Sequence, residues 1–149
     1  MYKRIGVVML AGIVPVMGAA GQDPIRDGEA IVKAADWKQA QRIEVRIEEY
    51  EYAPDRIVLE AGKPYKLVIE NEGEKAHYFT APEFYKAVAW RKAEAEKVEV
   101  KAPYFKAFEI KPGGELELFF VAVGKGSFPV YCTIDDHRDR GMEGEIVVR

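Results

Sequence analysis

Beyond its first twenty or so residues the chain has one cysteine, two histidines and one methionine: Cys132, His77, His137 and Met142. Three of the four fall within the run Cys132-Thr-Ile-Asp-Asp-His137-Arg-Asp-Arg-Gly-Met142. One thiolate, two imidazoles and one thioether suit a copper ion held by two His and a Cys with a weak axial Met. Taken singly, a buried Cys packs like a small hydrophobe and a Met fills gaps in a core. An ordered Cys, His, Met cluster that one loop can close round an ion points instead to a metal. Soft sulfur donors favour copper, whereas a structural zinc site would more often hold further Cys or His and no thioether.

Such a loop needs strands to hold it. Ile43, Val45 and Ile47 alternate with Glu44, Arg46 and Glu48, the pattern of a half-buried strand. Further strands are expected over 56–60, 65–70, 76–80, 98–101, 106–111, 115–123, 127–132 and 145–149, with turns at Pro54-Asp55, Ala61-Gly62, Asn71 to Gly73, Pro112 to Gly114 and Gly124 to Gly126. Many short strands at this spacing predict an all-β antiparallel sandwich. Cys132 then ends one strand, Met142 precedes the last, and His77 lies on another strand. One inserted short helix is expected after His77. Thr80-Ala-Pro-Glu83 has the form of a capping box, and Phe84, Ala87, Val88 and Arg91 share a helical face for about three turns. Tyr85 and Trp90 are read as packing residues. Residues 22–41 read as an N-terminal linker with a possible short helix, and 42–149 as the copper-binding domain.

Residues 1–21 read as a secretory signal peptide: Lys3 and Arg4 precede an apolar stretch, and small residues follow at Gly18, Ala19 and Ala20. About sixteen apolar residues with Pro15 near their end fall short of the ~20 that cross a bilayer, so no membrane span is expected after cleavage. The mature chain keeps about 128 residues, enough for one domain with a real core. Loss of Lys3 and Arg4 leaves 20 basic against 25 acidic side chains, a net charge of −5. That balance argues against nucleic acid or an anionic membrane as a partner. A single Cys forms no internal disulfide, and in an oxidising compartment a bound metal is an economical way to keep a thiol.

Over about Arg42 to Arg149 the chain resembles the cupredoxin family of small blue-copper proteins. The resemblance rests on Tyr52-Ala-Pro54 before Ile57, Leu59 and Gly62; Asn71-Glu-Gly73 ahead of His77; Pro112-Gly113 before Phe119-Phe120; Gly126-Ser-Phe128-Pro-Val-Tyr-Cys132; and the closing Gly141-Met142-Glu-Gly144-Glu-Ile-Val-Val148. The ligand loop, with four residues between Cys132 and His137 and four more before Met142, looks most like that of rusticyanin. The resemblance implies a Greek-key sandwich with one copper ion in a type 1 site, ligated by His77, Cys132, His137 and Met142. It departs from the family pattern in two places. Tyr78 stands where some members carry an Asn that bonds the Cys sulfur, so tuning of the thiolate must come from elsewhere. The neighbourhood of His137, Asp135 to Arg140, is far more charged than the family's usual apolar docking patch.

The function expected is a periplasmic one-electron carrier, not an enzyme. It would be a monomer that exchanges electrons with redox partner proteins, such as cytochromes or copper proteins, through a solvent edge of His137. The alternative is a periplasmic copper-binding protein for storage, buffering or delivery. A third reading is a sandwich that binds no metal and serves in assembly. Both histidines are committed to one site, which leaves none for the further coppers of nitrite reductase or multicopper oxidase chemistry.

Overall fold

A computed structural model describes residues 23–96 and 98–149. The expected signal peptide lies outside the described residues. Two sheets face each other. The first has the order β2 (Glu51–Ala53), β1 (Gln41–Glu48), β4 (Pro64–Asn71), β9 (Glu115–Ala122), β6 (Val88–Ala95), β7 (Val98–Val100). The second has the order β3 (Arg56–Leu59), β11 (Glu143–Val148), β10 (Gly126–Tyr131), β5 (His77–Thr80), β8 (Ala107–Ile110).

Alternation in sequence becomes alternation in burial. Val45 and Ile47 of β1 point inward while Glu44, Arg46 and Glu48 face solvent. Ile69, Leu67 and Tyr65 of β4 stand opposite Leu116, Leu118 and Phe120 of β9, so both strands place their apolar residues on the same inner face. Phe79, Val130, Ile146 and Val148 of the second sheet close the core from the other side. Two neighbouring pairs, β1 with β4 and β3 with β11, run parallel, and every other pair is antiparallel.

The N-terminal segment forms a helix, α1 (Gly28–Ala34), and a single 3-10 turn at Trp37–Gln39. The Trp37 indole donates to the Val32 carbonyl (2.9 Å), and the Arg91 guanidinium of β6 lies 4.6 Å from the Trp37 ring centre. No described helix is long and apolar enough to cross a membrane.

The helix expected after His77 is shorter than its sequence pattern. It covers only Pro82–Lys86 (α2), with Ala81 rather than Thr80 at the cap position, and the Thr80 hydroxyl is buried without a partner among the described residues. From Val88 the chain becomes a strand, because Val88 to Glu94 pairs with Ala122 to Glu117 of β9. The intrinsic preference of Ala, Lys and Glu for helix is worth only tenths of a kcal/mol per residue, and the ladder outweighs it. A bulge at Trp90/Lys92 breaks the alternation there. Tyr85 and Trp90 pack as expected: Tyr85 donates to the Phe79 carbonyl (2.8 Å), and the Trp90 indole donates to the Tyr85 carbonyl (2.8 Å). Burial raises the Tyr85 hydroxyl well above the usual phenol range, so it stays a neutral donor.

Candidate metal centre

The middle of the second sheet, where β5, β10 and β11 adjoin, brings the donors of His77, Cys132 and His137 together, with Met142 tied to the latter two through its backbone. His77 opens β5, Cys132 follows the last residue of β10, and Met142 precedes the first residue of β11. The loop between Cys132 and Met142 is closed by its own backbone. The Cys132 amide donates to the Met142 carbonyl (3.2 Å), the Met142 amide to the His137 carbonyl (3.0 Å), and the His137 amide to the Ile134 carbonyl (3.0 Å). Gly141, with φ of +96°, supplies the left-handed turn that brings the chain back to β11.

One donor atom each from His77, Cys132 and His137 lies within 4.8 Å of the others, and all three residues are buried. The Cys132 sulfur is 3.4 Å from Nδ1 of His137. Met142 is fully buried beside them in the chain, its backbone tied to both Cys132 and His137. Desolvation, then the nearby His77, lowers the His137 pKa, which favours the neutral imidazole that a metal ligand must be. The Tyr78 amide donates to the Cys132 sulfur (3.4 Å). The side chain at position 78 is therefore immaterial to that bond, which answers the missing Asn noted in the sequence.

His77 tests whether these residues fit a copper ion. Its Nε2 is 3.0 Å from Oε1 of Glu49, while its Nδ1 is buried with no hydrogen-bond partner among the described residues. A buried polar atom left unpaired costs free energy, about 1–3 kcal/mol for a neutral group. With Nε2 taken by Glu49, Nδ1 is the nitrogen left to join the thiol and the second imidazole round an ion that takes nitrogen and soft sulfur donors. The Glu49 carboxyl is held down at about 2, chiefly by its bond to His77, with the amides of Lys75 and Glu74 adding to the effect.

The loop before His77 is clamped by Asn71, which the sequence offered only as part of a family pattern. Its side-chain amide donates to the Lys75 (2.8 Å) and Ile110 (2.7 Å) carbonyls, and its oxygen accepts from the Gly73 amide (2.9 Å). Sequence reasoning missed Glu49 and Tyr50. These consecutive turn residues between β1 and β2 each back one histidine: Glu49 bonds His77, and the Tyr50 ring packs edge-on against His137 at 4.9 Å. No spacing rule links residues so distant in the chain.

His137 keeps only a narrow solvent edge, 4 % exposed, where His77 has none. Tyr50 packs against it, and the Arg140 guanidinium lies 4.7 Å from the Tyr50 ring centre. Lys75 donates to the Tyr50 hydroxyl (2.8 Å). Both arginines of the charged loop are paired, Arg140 with Asp136 (2.8 Å) and Arg138 with Glu143 of β11 (3.0 Å) while stacking over Tyr131, whereas Asp135 and Asp139 make no ion pair among the described residues.

Residues 29–148 match the cupredoxin-like domain family. A multicopper oxidase from Campylobacter jejuni is similar in fold, with a TM-score of 0.56 at 16 % identity over 77 % of this chain and 31 % of its own. A dithionite-reduced auracyanin from the photosynthetic bacterium Roseiflexus castenholzii gives 0.51 at 19 % identity, over 74 % of this chain and 98 % of its own. A copper nitrite reductase from Nitrosomonas europaea gives 0.60 at 10 % identity, over 74 % of this chain and 50 % of its own. The chain thus spans about a third of the oxidase and half of the reductase. Comparison with curated protein sequences gives no match.

Proposed function

The chain belongs to the cupredoxin-like family, and from that premise we propose that it is an exported, periplasmic blue-copper protein that carries single electrons between redox partners rather than an enzyme. The observation that carries this reading is the buried His77, Cys132 and His137 cluster, with His77 Nδ1 unpartnered among the described residues. His77 and His137 would be the nitrogen ligands, Cys132 the thiolate and Met142 the weak fourth donor. When bound, copper would supply a one-electron couple between Cu(I) and Cu(II).

The rest is work for the chain's own residues. Each ligand sits at a strand end or in a loop closed by backbone hydrogen bonds, so the donors hold one arrangement whatever charge they enclose. A scaffold that does not rearrange keeps the barrier to electron exchange low. Burial of Cys132, His77 and Met142 excludes water and protects the thiolate from oxidation. Tyr50, packed edge-on against His137, and Arg140 beside it would border the narrow edge of His137 that a partner meets.

A carrier keeps its ion, whereas a storage or delivery protein gives it up. Copper-loaded protein cycled repeatedly between oxidant and reductant beside a competing Cu(I) chelator should retain its copper; transfer to the chelator within the first cycles would favour the handling role. Met142→Leu should leave copper bound and raise the reduction potential, because loss of a weak donor to Cu(II) favours Cu(I). The expected rise is on the order of 60 mV, a tenfold shift for a one-electron couple. Potentiometric titration of the variant checks it, and an unchanged potential would remove Met142 from the ligand set.

A further inference from the structure

We propose that Glu49 is a positioning residue of this site: its carboxylate fixes His77 with Nδ1 toward Cys132 and His137, and its negative charge lowers the site's reduction potential. This rests on the copper reading above, and the geometry around Glu49 is what adds to it. Oε1 accepts from the Lys75 amide (2.8 Å) and lies 3.0 Å from His77 Nε2, while Oε2 accepts from the Glu74 amide (3.2 Å). One carboxylate thus gathers two backbone donors and an imidazole donor.

The loop is shaped for this carboxylate. A Cβ on Gly73 would lie 2.6 Å from Oε1 of Glu49, closer than real Cβ atoms approach, so glycine lets the loop wrap round the acid. The Glu72 amide donates to the Ile47 carbonyl (2.9 Å) and holds the same loop against the end of β1. The arrangement therefore involves three separate segments: the end of β1, the loop 72–75 and the start of β5.

The chemistry follows from the acceptor. A carboxylate accepts only, so the hydrogen between Glu49 and His77 resides on Nε2. In the neutral imidazole that a metal ligand must be, the other ring nitrogen is then a bare lone pair, and Nδ1 is buried without a partner among the described residues. A carboxylate behind a ligating imidazole also makes it a stronger donor. Stronger donation and nearby negative charge both favour the more highly charged oxidation state.

Glu49→Gln removes the charge while the amide oxygen can keep the two Oε1 bonds, to His77 and the Lys75 amide; only the Oε2 bond from the Glu74 amide is lost with it. With copper bound, its visible spectrum should resemble that of the parent while the potential rises by a tenfold preference for Cu(I), which is 59 mV for a one-electron couple. An unchanged potential would overturn the electrostatic role. The metal-free parent gives a second readout that needs no variant. Nitrogen-15 NMR should find the His77 proton on Nε2, and Glu49→Ala should yield a mixture of tautomers. A proton on Nδ1 in the parent would overturn the positioning role. A parent that takes up no copper would instead overturn the blue-copper reading, and the tautomer result would still decide the role of Glu49.

Discussion

Cys132→Ser should give a folded protein in which the intense thiolate-to-copper absorption is gone. Cys132 is almost fully buried at the end of β10, and its sulfur accepts the Tyr78 amide. A serine hydroxyl can accept the same bond, and the exchange of a thiol for a hydroxyl in this site costs about 1–3 kcal/mol at most. That leaves the sandwich standing, since its core is built from both sheets. The hydroxyl does not ionise near neutral pH as a thiol does beside a metal, so it supplies no comparable donor. Copper then has only two imidazoles and a thioether, and binding weakens sharply. Circular dichroism establishes the fold, and the visible spectrum after addition of Cu(II) reads the site. An intense band retained in this variant would rule out Cys132 as the thiolate ligand.

Phe120→Ala should cost about 3–5 kcal/mol, the range for deleting a buried aromatic side chain. Phe120 is fully buried on β9, opposite Tyr65 of β4. Its ring centre lies 5.9 Å from Tyr65, 5.4 Å from Phe84 and 5.7 Å from Trp90. It therefore joins the central strand pair to α2 and to β6, and no small shift of one neighbour can fill its place. A loss of this size is a large part of the ~5–15 kcal/mol that holds a typical domain together. Urea unfolding of the metal-free variant should show a much lower midpoint with a similar slope. A loss under about 1 kcal/mol would mean that the core collapses round the gap.

How much was legible in the sequence differs by element. The ligand loop could be read because its donors are rare in this chain and close together, and the structure brings Cys132 and His137 to one place with His77. The alternation of β1 was equally plain, since a half-buried strand writes its burial into every second residue. β6 was not legible: Ala, Lys and Glu favour helix locally, and pairing with β9, more than twenty residues away, and with the adjacent β7 makes it a strand. The capping box failed for a related reason. Thr80 belongs to β5 and pairs with Ala107 and Tyr131, so it is extended and cannot serve the helix. Glu49 and Tyr50 look like ordinary turn residues in the sequence. Only the folded chain sets them behind His77 and His137. The same holds for the near-complete burial of His137, against which packs the ring of Tyr50 from the turn between β1 and β2.

The central claim is that His77, Cys132, His137 and Met142 hold one copper ion as a blue site. The most direct measurement is a Cu(II) titration of the chain without residues 1–21, followed by visible absorption and electron paramagnetic resonance. One copper per chain should bring up an intense thiolate-to-copper band and a narrow hyperfine splitting, both reaching their limit at a single equivalent. A colourless complex, or copper bound with wide hyperfine splitting and no intense band, would contradict the blue-copper assignment.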